Sequence, residues 1–476
     1  MGAVGQLAHF LLGGGDRLHH RVSFQRRCFM RRRPWLAIHS QVQVKAILFT
    51  GAQGDLRCTA VEDIICRIQR SVCHERAMPS NHTPDPGKSE NPILVYNRKS
   101  LAQMMTHLSR QELVAVDTES DSLYRYYPKV CLIQITTYAE PGEPDPEHVV
   151  DYIVDPLRLD GVQALELIFA NPVIEKAMHA AENDILTLQR SYGFRFQNIF
   201  DVQLAARILG WKRLGLAAIL EEHFGVISDK RMQRTDWGQR PLSPQQIAYA
   251  QMDTHYLPAL RQRLVAELRA RGRWEEAQEA FAQLSQLRYD ERAEQERSFW
   301  QMRGLRDVPR EELGRLAALW SWREKEAQRR DRPPFKILND ETLFALARQR
   351  PANLSDLRQI RGLNSQQVSI YGEALLGTLA EAARQPPPEP PKPSFRPEQG
   401  LDARSARRYE ALRRWRTRVA HARGVTPDIV FTNETLAEIA QRQPQNEADL
   451  LSIEAVGPWK ARTYGPELLA TLRNTK

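Results

Sequence analysis

At 476 residues the chain is long enough for about three domains, each with its own core. A formal net charge of +9 and a pI near 9.3 suit a polyanionic partner, but the excess is uneven. Residues 1–77 hold 12 Lys/Arg against 5 Asp/Glu, residues 78–385 hold 40 against 42, and residues 386–476 hold 15 against 11. No apolar run reaches the ~18 residues of a membrane span. Four of the five cysteines (Cys28, Cys58, Cys66, Cys73) precede residue 78 without zinc-site spacing, which leaves Cys131 alone. A membrane anchor and a disulfide scaffold are both excluded as organising principles, and a reducing, cytoplasmic setting is expected.

Residues 1–77 are rich in Arg, His and Cys and contain Arg31-Arg32-Arg33-Pro34, yet no periodicity persists long enough to define a domain. Such a start can be a transit peptide or a basic arm for nucleic acid. The opening MGAVGQLAHFLLGGG lacks a basic leader, however, and Gln6 does not suit myristoylation. The preferred reading is a segment added by an upstream start, with Met78 the natural beginning. Residues 1–91 are expected to be an extension, disordered or not natively translated before Met78.

The first convincing strand is Ile93–Tyr96, followed by a helix over Lys99–Arg110. The run Glu112-Leu113-Val114-Ala115-Val116-Asp117-Thr118-Glu119-Ser120 begins apolar and β-branched and ends in two carboxylates one residue apart. Further strands are expected at Val130–Thr137, Asp151–Asp155 and Val173–Met178, and helices at Gly161–Ala170, Asn183–Arg190 and Asp201–Leu209. After the loop Asp229–Trp237, Ser243-Pro244-Gln245-Gln246 places Ser at the N-cap, Pro at N1 and Gln at N3. That capping box predicts one helix running past Asp253 towards Arg271. The pattern suits an α/β domain over residues 92–295, a mixed central sheet with flanking helices.

Beyond about residue 296 the strand signals stop and the sequence repeats itself. Trp322/Trp415, Thr342/Thr435, Pro351/Pro444 and Tyr371/Tyr464 are all 93 apart, a duplication rather than coincidence. Two small all-α domains are expected at residues 296–384 and 401–476. A stiff Pro-rich linker at residues 385–400, beginning Gln385-Pro386-Pro387-Pro388, joins them. One detail does not repeat: Gly457 sits two residues beyond the place that matches Gly362.

Side chains alternate along a strand, so Asp117 and Glu119 face the same way. Adjacent carboxylates cost stability unless a cation lies between them. An isolated pair of this kind usually marks a strand running into a solvated turn, so its company decides. Tyr249 and Asp253 share a helical face at i and i+4, and Asp184 opens a helix shortly after His179. Four carboxylates so placed can hold two hard divalent cations through oxygen. Two cations about 4 Å apart can activate water and stabilise the leaving oxygen in phosphodiester hydrolysis. Tyr249 would orient that water or assist its deprotonation. Asp201 is expected as an N-cap, Asp121 and Asp155 as turn residues, and His179 as structural. Trp237 and Arg240 either line a substrate groove or pin their loop to the sheet. Arg329 and Arg330, and the set Arg404, Arg407, Arg408, Arg413, Arg414, Arg416 and Arg418, are expected to meet a phosphate backbone. Trp322 and Trp415 should fill the helical cores.

These motifs carry a resemblance. Asp117-x-Glu119, His179 through Asp184, and Tyr249 through Asp253 resemble the three exonuclease motifs of the DEDD superfamily, Tyr variant. Asn198-Ile199-Phe200-Asp201-Val202-Gln203-Leu204-Ala205 is similar to part of the ribonuclease D signature, as is Asp236-Trp237 with Arg240-Pro241-Leu242-Ser243. The paired repeats resemble HRDC domains. The resemblance covers about residues 92–476 and leaves residues 1–77 without a counterpart. It implies a ribonuclease H-like α/β exonuclease domain followed by two all-α HRDC domains. It implies Asp117, Glu119, Asp184 and Asp253 as ligands of two divalent ions, Mg²⁺ or Mn²⁺, and Tyr249 as the catalytic tyrosine. The activity implied is a metal-dependent 3′→5′ exoribonuclease, a hydrolase trimming tRNA precursors and related RNAs to release 5′-mononucleotides. A monomer with RNA as partner, cytoplasmic and without a membrane, is expected. The same chemistry on DNA and a non-catalytic RNA-binding scaffold are the rival readings.

Overall fold

The computed structural model describes residues 91–476 apart from 143, 146–147, 292–298, 390–400 and 476. The expectations for residues 1–90, Met78 among them, and for most of the Pro-rich linker lie outside the described residues. Six strands form one mixed sheet: β1 (Ile93–Val95), β2 (Leu113–Ser120), β3 (Val130–Tyr138), β4 (Val149–Val154), β5 (Glu175–Met178) and β6 (Ile199–Asp201). Their order is β1-β4-β3-β2-β5-β6. β3 runs antiparallel to β2 and β4, and the remaining pairs are parallel. Every residue of β3 is buried, the condition under which a strand reads as a continuous apolar run.

One face of the sheet, with Val114, Val116, Ile133 and Ile135, packs against α1 (Arg98–Leu108), α2 (Glu166–Phe169) and α3 (Glu182–Tyr192). The other face meets α4 (Val202–Leu209), α5 (Leu216–Phe224), α6 (Pro244–His255), α7 (Leu257–Ala270) and α8 (Trp274–Leu284). Several boundaries differ from expectation. Gly161–Ala170 is not one helix but a 3₁₀ turn, Val162–Leu165, running into the short α2. The strand expected from Val173 begins at Glu175. The long helix expected from Pro244 is two, parted at Tyr256, because Pro258 has no N–H with which to continue the ladder. β6 is too short to announce itself by alternation.

The rest of the described chain is helical. α9 (Arg310–Arg330), α10 (Pro334–Ile337), α11 (Asp340–Gln349), α12 (Leu354–Leu357) and α13 (Ser365–Ala382) enclose one core. Their counterparts α14 (Ala403–Arg423), α15 (Pro427–Val430), α16 (Asn433–Arg442), α17 (Glu447–Leu451) and α18 (Pro458–Arg473) enclose another. Trp415 is buried in the second core, while Trp322 is only partly buried against the first. The duplication extends to internal arginines. Arg315 and Arg408 donate to the Ala347 and Ala440 carbonyls, each at 2.8 Å. Arg323 donates to the Leu338 carbonyl at 3.1 Å and Arg416 to the Phe431 carbonyl at 2.7 Å. Arg408 and Arg416 are therefore parts of the repeat's own frame, not RNA contacts. Among the described residues no helix is long and apolar enough to cross a membrane.

Candidate active site

The acidic pair stands at the centre of the sheet. Leu113–Val116 bury β2 between β3 and β5, and the strand then emerges with Asp117 and Glu119 half-buried on one face. Helix α6 crosses that face. Its start is the expected capping box, with the Ser243 hydroxyl accepting from Gln246 N and the Gln246 side chain from Ser243 N. Its far end is held by a polar network that the sequence does not advertise. Asp151 on β4 accepts from the Thr136 hydroxyl at 2.6 Å and the Gln251 amide at 2.7 Å, and lies 2.8 Å from His255 Nδ1. Thr136 also meets Thr254 at 2.8 Å. The network sets where Tyr249 and Asp253 stand over β2.

Carboxylate oxygens of Asp117, Glu119 and Asp253 come within 4.8 Å of one another. Asp184, on the first turn of α3, lies outside that trio and hydrogen-bonds to the hydroxyl of Thr118, the residue between the acidic pair. Burial, then the charges of Asp184, Asp253 and Glu119, holds the Asp117 carboxyl well above its ordinary range. Burial and the charges of Asp253 and Asp184 push Glu119 up to about 9. Burial followed by Asp184 brings Asp253 to about 7, and burial opposed by the Thr118 hydrogen bond brings Asp184 to about 6. Among the described residues no salt bridge reaches any of the four. Without added positive charge they cannot all ionise near neutral pH, and their donors are oxygens only. Both features fit hard divalent cations.

Tyr249 is buried over the same face with its ring centroid 6.1 Å from that of Trp237. Burial and the charges of Asp253 and Glu119 raise its phenol, which keeps its proton. Asp201 is the N-cap of α4, accepting from Leu204 N at 2.9 Å, and it also accepts from Ala180 N and Ala181 N. One carboxylate thus pins the turn that carries the chain from β5 into the helix bearing Asp184; Ala180 in that turn has φ 57. His179 is half-buried there, and its partial burial lowers its imidazole against the pull of Asp201. Asp121 closes a turn through Lys129 N, and Asp155 does so through Leu157 N.

Of the two readings open for Trp237 and Arg240, the loop anchor holds and the groove contact does not. Trp237 is 1% exposed, enclosed by Leu132, Ile153 and Ala250, so it cannot stack on a base. Arg240 is spent on both oxygens of Asp155, at 2.7 and 2.9 Å, and on the carbonyls of Cys131, Trp237 and Gln239. Both pin the loop to the sheet, and Trp237 stands beside Tyr249. Arg329 and Arg330 both turn to Glu326. Arg414 and Arg418 are exposed on α14.

Residues 92–269 match the model of a 3′-5′ exonuclease family, and residues 312–379 and 405–472 each match that of the HRDC domain. A ribonuclease D of Zymomonas mobilis is 34% identical over 306 residues, 63% of this chain and 75% of that enzyme. A ribonuclease D of Acidiphilium cryptum is 30% identical over 394 residues, 81% of this chain and 94% of the other. The crystal structure of Escherichia coli RNase D, described as an exoribonuclease involved in structured RNA processing, has the same fold. It superposes with a TM-score of 0.55 at 24% identity over 81% of this chain and 99% of that one.

Proposed function

Because the chain belongs to the ribonuclease D family of 3′→5′ exoribonucleases, we propose that it trims the 3′ extensions of tRNA precursors and related RNAs, releasing 5′-mononucleotides. Asp117, Glu119, Asp184 and Asp253 would hold the divalent cations, and Tyr249 would be the catalytic tyrosine. The observation that carries this reading is the convergence of three carboxylates within 4.8 Å, with the fourth, Asp184, accepting from Thr118 between two of them and, among the described residues, no salt bridge to any of the four. Two Mg²⁺ or Mn²⁺ ions bound there would supply activation of water and relief of the charge that builds on the leaving 3′ oxygen.

The chain's own part is placement. β2 and α6 present Asp117, Glu119 and Asp253 from rigid elements, so little is lost in ordering them when the scissile phosphate arrives. Tyr249, protonated and beside Trp237, orients the attacking water by a hydrogen bond. On α14 the exposed Arg404, Arg407, Arg414 and Arg418 recur at helical spacing along one stripe, about 21 Å from first to last. That stripe is where we place the contact with the RNA backbone.

The test uses purified protein, a 3′-extended tRNA and a DNA oligonucleotide of matching sequence, with Mg²⁺, Mn²⁺ or EDTA. Mononucleotide release from the RNA, dependent on the cation, is the expected result. Preferential release from DNA, or full activity in EDTA, would overturn the reading.

A further inference from the structure

Gln134 sits mid-strand in β3 and is completely buried, yet neither its amide nitrogen nor its amide oxygen meets a hydrogen-bond partner among the described residues. A sealed primary amide is an expensive way to fill space, since an apolar side chain of the same length would avoid the loss. Its position suggests what the amide is for. Gln134 is the direct partner of Asp117 across the antiparallel β2–β3 pair, and directly opposed residues project to the same face with Cβ atoms about 5 Å apart.

Its neighbours on β3 confirm the face. Leu132 packs with Tyr249 and Ala250, and Thr136 hydrogen-bonds to Thr254. The amide of Gln134 is therefore held under α6, between the turn carrying Tyr249 and the turn carrying Asp253, one strand away from Asp117. On its β4 side Gln134 is paired with the apolar Ile153, and on its β2 side with Asp117, which is the acceptor of the two flanks.

We propose that Gln134 is a positioning residue for Asp117: its Nε2 donates to one carboxylate oxygen when Asp117 binds a divalent cation, turning the other oxygen to the ion. Groups that orient a ligand from behind contribute 10–100-fold to metal affinity in general. The inference rests on the reading of Asp117 as a cation ligand.

The experiment compares the full-length wild type with Gln134→Met, which keeps length and loses the amide, and with Asp117→Asn. Each is titrated with Mn²⁺ calorimetrically and melted in EDTA. Gln134→Met is expected to melt in EDTA at or above the wild-type temperature and to bind Mn²⁺ about tenfold more weakly. A lower melting temperature in EDTA with unchanged Mn²⁺ affinity would mean that Gln134 serves packing alone, and would overturn the proposal. If Asp117→Asn also binds Mn²⁺ like the wild type, the ligand reading itself fails. If Asp117→Asn loses binding while Gln134→Met retains it in full, only the role of Gln134 fails. Gln134→Leu repeats the measurement should the Met variant not fold, and unchanged affinity there is equally decisive against it.

Discussion

The two helical repeats share a frame and part company at the start of their last helix. In the first, Asn364 caps α13 through a capping box with Gln367. The residue 93 positions on is Gly457, which offers α18 no side-chain cap. The cap comes instead from the nuclease half, where Glu279 on α8 accepts from Trp459 N at 2.6 Å and from Lys460 N at 3.3 Å. A Cβ at Gly457 would lie 2.2 Å from the Glu279 carboxyl carbon, so the glycine makes room for a cap supplied from elsewhere. Glu276 on the same helix pairs with Arg423, and Arg207 with Asp428.

The first repeat meets a different surface. Asp331 accepts from Tyr126 N and Tyr127 N on the loop between β2 and β3, and Lys336 lies over the Tyr124 ring. That loop leaves the strand carrying Asp117 and Glu119. One copy is welded to the nuclease through buried charge and a borrowed cap. The other meets the β2–β3 loop through two backbone amides, exposed charges and the half-buried ring of Tyr126, which packs against that repeat's core.

The largest effect should come from the buried pair. Glu276→Ala leaves Arg423 partly buried without its carboxylate, a change that costs about 3–5 kcal/mol in comparable settings. Urea denaturation should show that loss, and hydrogen exchange should rise in α14 and α18 before the sheet. Uniform protection across both halves would refute the weld. Next comes the borrowed cap. Glu279→Ala should cost about 1–2 kcal/mol, and adding Gly457→Asn should recover part of it by supplying a side-chain N-cap as Asn364 does in the first repeat. Additive losses in the double variant would break the comparison. The smallest effect is expected at the other seam. Asp331→Asn keeps an acceptor for the two tyrosine amides and tolerates the positive φ of 47, losing only an exposed pair with Arg125 worth about 0–1 kcal/mol. A large drop in melting temperature there would show that both seams depend on charge.

These differences mark where sequence reading stops. The strand carrying Asp117 and Glu119, the capping box at Ser243 and the cap at Asp201 were legible because each is a local rule written in a few consecutive residues. The 93-residue period was legible because repetition needs no structure to be seen. Gly457 was visible only as a displaced glycine, since its explanation, Glu279, lies 178 positions earlier in the chain. Pro258 was a local signal that a strong helical pattern around it masked. Trp237 and Arg240 stayed open between groove contact and loop anchor because aromatic and basic residues in a loop serve as either; only their burial against Leu132 and Asp155 separates the two uses. Gln134 could have been found as the one amide in an otherwise apolar run, on the face that the alternation assigns to Asp117.

In the proposed function, the acidic cluster on β2, α3 and α6 is the hydrolytic centre. Its most direct test is the rate of mononucleotide release from a 3′-extended tRNA in Mg²⁺ by Asp117→Asn, a near-isosteric change, beside its affinity for the same RNA. The rate should fall on the order of a thousandfold, equivalent to about 4 kcal/mol of barrier, while RNA affinity stays within a few-fold of wild type. Wild-type turnover in that variant would place the chemistry elsewhere.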